Sequence, residues 1–524
     1  MKGKISITFI FLLLIEVNFY AQGTSLIVDL SSKIGPVTHC ASGSLYGITE
    51  TYPPDMDSLV APLKPNVFCQ PPFGGSGNQH PFGAAVAVSA RLALTTGQVQ
   101  ITLADILPGW PYQWPGQTSW LAQVTSAINE KKASGRNNFY GYVIWNERHG
   151  TWNASNGDWY SICWKPTYDL IRSLDPNAKI IGPGDSYYTY ARMTEFLTWC
   201  KDNNCLPDIM CWHELLGSAN ISSDVNSYRT VESRVGVSPL PISINEYCHP
   251  THDYEGCPGA SAPFIAKFER NMVQSACISW WFTNLPGRLG SLLTSSNQKG
   301  GGWWFYKWYG DMTGSMVSVT PPNDNSDGID GFACLDSNKQ YASICMGGNY
   351  TGPINVIINK IPSSFGDSVT VSVEYVPWSS KDLPVTGTIT LSKINYYVSA
   401  GSITVPVTIS SPLYGYHVSL TPGEKLVAID KTHELFPGDF KLSQNYPNPF
   451  NPSTTISFSI PENGHVKLII FNTLGRQVAT LIDNEVNTGR HCIIWNAGNA
   501  ASGVYFYRIM YKGKLLYNKM LLLK

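Results

Sequence analysis

A chain of 524 residues is longer than one hydrophobic core can serve, so it should divide into two or three domains. Its formal net charge of -1, with no dense run of Lys or Arg, excludes the electrostatic footprint of a nucleic-acid binder. Aromatic residues make up 12%, which leaves many flat rings for work outside a core.

The N-terminus carries Lys2 and Lys4, an apolar stretch from Ile5 to Ile15, and then Phe19-Tyr20-Ala21. This pattern predicts a signal peptide over 1–22, too short to span a membrane, and no transmembrane segment in the mature protein. Within 24–34 the run Ser25 to Leu30 has no helical partner and is expected to join a β domain further along. From 36 to 315, eight short apolar runs alternate with helical patterns: Gly43 to Ile48, Asn66 to Gln70, Gln98 to Leu103, Tyr140 to Trp145, Ala178 to Gly182, Ile209 to His213, Pro241 to Asn245 and Ile278 to Phe282. Eight strand-helix pairs in this length predict an α/β fold of the (β/α)8 barrel type. The helix after the third run is expected to open with a capping Thr118 or Ser119. An open doubly wound sheet would want a Gly-rich phosphate loop after its first strand, whereas Pro72 to Gly77 follows the second and opens no helix. Period-two text such as "SVTVSVEYV" then predicts an antiparallel β-sandwich over 316–422. A charged linker is expected at 423–437, and a small all-β module at 438–524.

Twelve cysteines in an exported chain make disulfides permissible. Close spacing nominates Cys200 with Cys205, Cys248 with Cys257, and Cys334 with Cys345, while Cys69, Cys211 and Cys277 read as buried thiols. The chain has no C-x-x-C pair, and His149, His213 and His249 include no i, i+4 pair, so neither a metal nor any other cofactor is expected.

Barrel enzymes place their chemistry at the C-terminal ends of the strands. The fourth run ends "GYVIWNE" at Glu147 and the seventh ends "ISINEY", with Glu246 followed by Tyr247. Two Asn-Glu pairs, Asn146-Glu147 and Asn245-Glu246, each ending an apolar strand, nominate Glu147 and Glu246 as paired catalytic carboxyls. Glu50 and Glu214 also lie near strand ends and are the alternatives. Glu50, Gln70 and Tyr247 border the same rim and His213 ends strand six, all candidates with Asn146 for binding substrate, and Trp110 lies with Tyr112, Trp114 and Trp120 in a Pro-rich loop whose flat rings are suited to stacking on a ligand. Trp281, ending strand eight, is placed to floor a binding pocket.

These endings resemble clan A of the retaining glycoside hydrolases, with family 39 nearest through "WNE" and the "CWHEL" of Cys211 to Leu215; Arg148-His149 departs from the Pro and Asp of many relatives. The resemblance implies a secreted enzyme that cleaves β-glycosidic bonds of plant or microbial polysaccharides. In it Glu147 is acid/base, Glu246 is nucleophile, and Asn146 holds the hydroxyl beside the anomeric carbon. Glu147 should then carry the raised pKa while Glu246 stays charged. A noncatalytic carbohydrate-binding or adhesin protein on a degenerate barrel is the alternative. Residues Tyr446 to Pro452 ("YPNPFNP") and Gly503 to Arg508 ("GVYFYR") resemble the type A sorting domain of the type IX secretion system. That likeness implies this machinery as a partner, a secreted or cell-surface location, and removal of the tail on export.

Overall fold

The computed structural model describes residues 24–75, 80–279, 286–423, 439–445, 448–486, 488–498 and 500–523. The expected signal peptide and residues 424–437 of the expected linker lie outside them. Among the described residues no helix is long and apolar enough to cross a membrane.

The first strand, β1 (Ser25–Pro36), stands apart from the eight that follow: β2 (Gly43–Leu45), β3 (Val67–Gln70), β4 (Gln98–Thr102), β5 (Phe139–Val143), β6 (Ile180–Asp185), β7 (Ile209–Glu214), β8 (Ile242–Tyr247) and β9 (Ser275–Ile278). These eight pair in parallel, in sequence order, and close when β2 pairs with β9. The closed barrel is therefore the fold expected. Its eighth strand is Ser275–Ile278, which starts three residues ahead of the expected run; Trp280 to Phe282 of that run lie outside the described residues. The small Ser275-Ala276-Cys277 is fully buried, whereas bulk and aromaticity had marked the later run. Inside the barrel lie small clusters such as Val67, Cys69 and Cys277, and Val143, Ile181, Ile209 and Cys211. The larger core fills the shell between barrel and helices, including Trp120, Trp164, Phe196 and Phe268. The helix Gln117–Ala133 begins ahead of the expected caps, with Gly116 at its N-cap.

Strand β1 inserts between β10 (Ser315–Thr320), to which it is antiparallel, and β13 (Gly352–Asn359), to which it is parallel. With β11 (Asp330–Asp336), β12 (Tyr341–Gly347), β14 (Ser368–Val376), β15 (Ile389–Tyr397), β16 (Ile403–Ile409) and β17 (Gly415–Pro422) they form a nine-stranded sheet. It encloses a core that includes Leu26, Val356, Val371, Val405 and Val418. Strict alternation in β16, buried at every odd position, shows why period two was readable there. A buried ion cluster ties this domain to the barrel: from the helix Pro258–Arg270, Lys267 Nζ lies 3.3 Å and Arg270 Nη2 2.6 Å from the Asp330 carboxylate. The C-terminal module packs a three-stranded and a four-stranded sheet around Phe450, Phe458, Leu468 and Tyr507.

The nominated disulfides are not formed: eleven cysteines, all among the described residues, are buried free thiols. Register explains one case. On adjacent strands Cys334 faces Ser343 and Cys345 faces Phe332, so the two sulfurs are offset by two positions. Cys248 instead meets His252 Nδ1 at 2.8 Å, and the Cys257 thiol donates to the Leu413 carbonyl. Cys200 and Cys205 stand as neighbouring thiols, the Cys205 amide donating to the Cys200 carbonyl at 2.9 Å. Cys69, Cys211 and Cys277 are buried thiols as expected.

Candidate active site

At the C-terminal mouth of the barrel, Glu147 follows β5 and Glu246 belongs to β8. His213 from β7 lies between them: its Nδ1 hydrogen-bonds with Glu147 Oε1 at 3.0 Å and stands 3.7 Å from Glu246 Oε1. Those two legs put Oε1 of Glu147 and Oε1 of Glu246 no more than about 6.7 Å apart, on either side of one imidazole nitrogen.

Backbone irregularity aims these groups. Glu147 has φ of 52°, a left-handed conformation uncommon outside glycine. It is held there from both sides. Its amide donates to the Gly184 carbonyl at 2.7 Å, and its carbonyl accepts from the Thr151 amide and hydroxyl, each at 3.0 Å. Thr151 Oγ1 also donates to the Asn146 carbonyl and accepts from Trp145 Nε1. Gly184, at φ of 76°, permits the close approach: a Cβ there would fall 2.5 Å from the Trp145 carbonyl oxygen. On the opposite wall, register slips between Ile244 and Tyr247, and between Trp212 and His213, set His213 directly against Glu246.

All three ionisable groups are nearly out of water, with side chains 10%, 5% and 0% exposed for Glu147, Glu246 and His213. Burial pushes Glu246 up to about 7; the His213 charge opposes this, and the charges of Glu147, Asp105 and Glu255 add to it. Burial pulls His213 down, but Glu246 and the bond to Glu147 outweigh it, so the imidazole is raised. The rise at Glu246 runs against the expectation that accepted hydrogen bonds would keep it low. Its Oε2 is buried without a hydrogen-bond partner, so the charge lacks the accepted bonds that would have kept it low.

The other nominated residues divide. Asn146 is half-buried, and its side chain reaches the Tyr112 hydroxyl. Trp110 is 44% exposed at the rim, its ring edge-on to Tyr112. Of its loop partners, Trp120 is fully buried, and Trp114 packs against Trp120, Trp145 and Trp152. Glu50 accepts from the Gly83 and Ala84 amides at 2.8 to 3.0 Å and so anchors the start of the helix Ala85–Leu92. Strand alternation turns Cys69 into the barrel, where Gln100 Nε2 donates to its sulfur, and leaves Gln70 on the other face against Gly83. Tyr247 also turns away from the mouth, packing on Phe264 and Phe268 with its hydroxyl 2.5 Å from that of Tyr306. Glu214, the other alternative acid, accepts from Trp212 Nε1 at 2.7 Å and is pushed up to about 8 by burial. Trp281 lies outside the described residues.

Two acids escaped sequence reasoning. Asp105, fully buried just past β4, takes the hydroxyls of Tyr46 and Tyr112, each at 2.7 Å, and burial lifts it to about 6 despite those bonds. Asp185 ends β6 beside Arg148 Nε at 3.6 Å and His149 Nε2 at 3.5 Å. Arg148 is in turn sandwiched by the Trp159 and Tyr160 rings. The Arg-His that replaces the more usual Pro-Asp therefore has its own counter-ion. Both acids sit at strand ends, the same signal that found Glu147 and Glu246. A cavity of about 500 Å³ opens at the opposite, N-terminal end of the strands, lined by Lys131, Tyr140 and Asp208, remote from these groups.

The closed eight-stranded parallel barrel, the Asn-Glu pairs at the C-terminal ends of its fourth and seventh strands, the β-sheet domain and the all-β tail are the architecture that the resemblance to clan A glycoside hydrolases implied. Residues 444–523 match the family described as secretion system C-terminal sorting domain, which marks the chain for type IX export. The structure of N2152 from Neocallimastix frontalis superposes with a TM-score of 0.75 at 50% identity, covering 76% of this chain and all of that one. The chain belongs to the family of that protein. It is also 26% identical over 480 residues to 3-O-beta-L-arabinopyranosyl-alpha-L-arabinofuranosidase of Bifidobacterium pseudocatenulatum, 78% of this chain and 48% of that protein. A similar match joins it to 3-O-alpha-D-galactosyl-alpha-L-arabinofuranosidase of Bifidobacterium longum subsp. longum, 26% identical over 468 residues, 76% of this chain and 40% of that protein. The chain thus spans about half the length of the curated relatives it matches, or less.

Proposed function

We propose that the chain is an exported retaining glycoside hydrolase, with Glu246 as nucleophile and Glu147 as acid/base. The observation that carries this reading is the single His213 nitrogen within 3.0 and 3.7 Å of the two carboxylates across the barrel mouth. In the first step Glu246 attacks the anomeric carbon while Glu147 protonates the departing oxygen, and a glycosyl ester forms on Glu246. Glu147, now anionic, then takes a proton from water, which attacks the same carbon and releases the sugar with its original configuration. His213 keeps the negative charges of this cycle tolerable, because the proton it holds stays beside both carboxylates. Asn146, fixed beside Tyr112, is positioned to hold a sugar hydroxyl, and Trp110 to stack on a ring at the rim.

The names of both curated relatives favour an α-L-arabinofuranosidic bond over the β-glycosidic bond expected from sequence. The proposed substrate is therefore an arabinofuranosyl unit carried by a plant polysaccharide. Export follows the signal peptide at 1–22 and the sorting domain, which delivers the protein to the cell surface or medium. The test is hydrolysis of aryl α-L-arabinofuranoside and of an arabinose-bearing polysaccharide panel, with the anomer first released identified by NMR. Retention is expected; an inverted first product, or binding without turnover, overturns the reading. Glu246→Ala should lose all turnover and regain part of it with added azide. Glu147→Ala should fail on natural glycosides yet cleave aryl glycosides whose leaving group needs no proton.

A further inference from the structure

We infer that the loop leaving the nucleophile strand is a binding site for a divalent transition-metal ion, zinc being the species its donors suit. Cys248 Sγ, His252 Nδ1 and a Glu255 carboxylate oxygen converge within 4.8 Å of one another. The sulfur and the nitrogen are 2.8 Å apart, and that nitrogen is 3.9 Å from Glu255 Oε1. Around a tetrahedral zinc, with bonds of about 2.3 Å to sulfur and about 2.0 to 2.2 Å to nitrogen and oxygen, such donors stand about 3.3 to 3.6 Å apart. The sulfur–nitrogen and nitrogen–oxygen pairs therefore need adjustments of less than about 1 Å, and the sulfur and the carboxylate already lie within 4.8 Å. Thiolate, imidazole and carboxylate together select a borderline-soft ion over calcium or magnesium, which take oxygen. Three protein donors leave a fourth position for water.

The carboxylate is held for this role. Ser279 Oγ donates to Glu255 Oε1 at 3.0 Å, and Ser291 Oγ to Oε2 at 3.4 Å, an outer ring of the kind that orients metal ligands. Arg288, the cation whose field reaches Glu255, is itself engaged by the Leu293 carbonyl and by Asp382. Cys248 and Glu255 are 3% and 1% exposed, so the donors do not merely decorate a solvated surface. Binding replaces the Cys248 S–H bond by a sulfur–metal bond and releases that proton to solvent. The ion would staple the loop to the end of β8 two residues beyond Glu246. The inference does not depend on the proposed activity.

The test is a titration of the purified full-length protein, dialysed against EDTA, with Zn2+ alone by calorimetry, and with Co2+ by absorption. One Zn2+ per chain is expected, lost in Cys248→Ser and His252→Ala. Ser279→Ala, which removes the hydroxyl that orients Glu255 and also reaches the Cys248 sulfur, should weaken affinity by about 10- to 100-fold. Co2+ on the wild-type protein should give a thiolate-to-cobalt charge-transfer band. No uptake, uptake unchanged by the three substitutions, or a cobalt complex without that band overturns the site. The cobalt spectrum and Ser279→Ala decide the matter even if Cys248→Ser fails to fold.

Discussion

Replacing His213 by Asn, in EDTA-treated enzyme so that no cation beside Glu246 contributes, should move the pH dependence of catalysis upward. The imidazole Nδ1 stands 3.7 Å from Glu246 Oε1. Two unit charges at that distance interact by about 1 kcal/mol in a water-like dielectric and by about 4 to 5 kcal/mol at an effective dielectric near 20. At 1.36 kcal/mol per unit, His213 holds the Glu246 pKa down by about 1 to 3 units. That carboxyl already sits at about 7 through burial, even with the imidazole opposing. The nucleophile must be ionised, so losing the positive charge raises its pKa and shifts the acidic limb of kcat/KM from near pH 7 to pH 8 or above. At pH 6 activity follows the ionised fraction, so a one-unit shift lowers kcat/KM by about tenfold, and the deficit shrinks as pH rises. The assay is kcat/KM from pH 5 to 9 on an aryl glycoside whose departure needs no proton, which removes Glu147 protonation from the profile. A folded variant whose acidic limb stays in place, or moves to lower pH, refutes the reasoning.

The same geometry yields three more expectations. Gly184→Ala puts a methyl 2.5 Å from the Trp145 carbonyl oxygen and disturbs the bond that holds the Glu147 backbone; kcat on natural glycosides should fall by about 100-fold, since displacements near 1 Å cost that much, and a variant with unchanged kcat would contradict it. Glu214, raised from 4.5 to about 8, binds its proton more tightly in the folded state, so it lowers stability progressively as pH rises from about 4.5 to about 8. Glu214→Gln keeps an oxygen to accept from Trp212, and its Tm relative to wild type should therefore improve from pH 4 to pH 8; an equal offset at both pH values would refute the linkage. Mass spectrometry of protein recovered outside the producing cell should find the residues after about Phe436 removed, and an intact tail there would show that the sorting module is retained.

Much of the fold was legible because burial imposes periodicity. The opening Ile-Met-Cys-Trp of β7, enclosed on both faces, reads as an unbroken apolar run, and β16 reads as strict alternation. The reading started late at β9, whose small Ser275-Ala276-Cys277 carries no bulky signal although all three residues are fully buried. Cysteine spacing misled for a related reason. Nearness along the chain says nothing of strand register, and Cys334 and Cys345 miss each other by two positions across one ladder.

For the site, strand ends were the right place to look, and alternation along them was the wrong guide to direction. A regular strand would turn Asn245 and Glu246 to opposite faces, yet Asn245 accepts from Gln100 inside the barrel while Glu246 faces His213 at its mouth. The slip between Ile244 and Tyr247 makes both possible, and Tyr247, back in register, points outward into the helical shell. Glu147 reaches its place by a different irregularity, a left-handed residue held by Gly184 and Thr151. Neither device has a residue signature of its own: the bulge is made by ordinary Asn and Glu, and the positive φ falls on a glutamate where glycine would be expected. The place of the two carboxyls at the mouth was therefore readable, but Gln70 and Tyr247, chosen by proximity to the same rim, were not separable from them until the backbone showed which side chains its bulges turn inward.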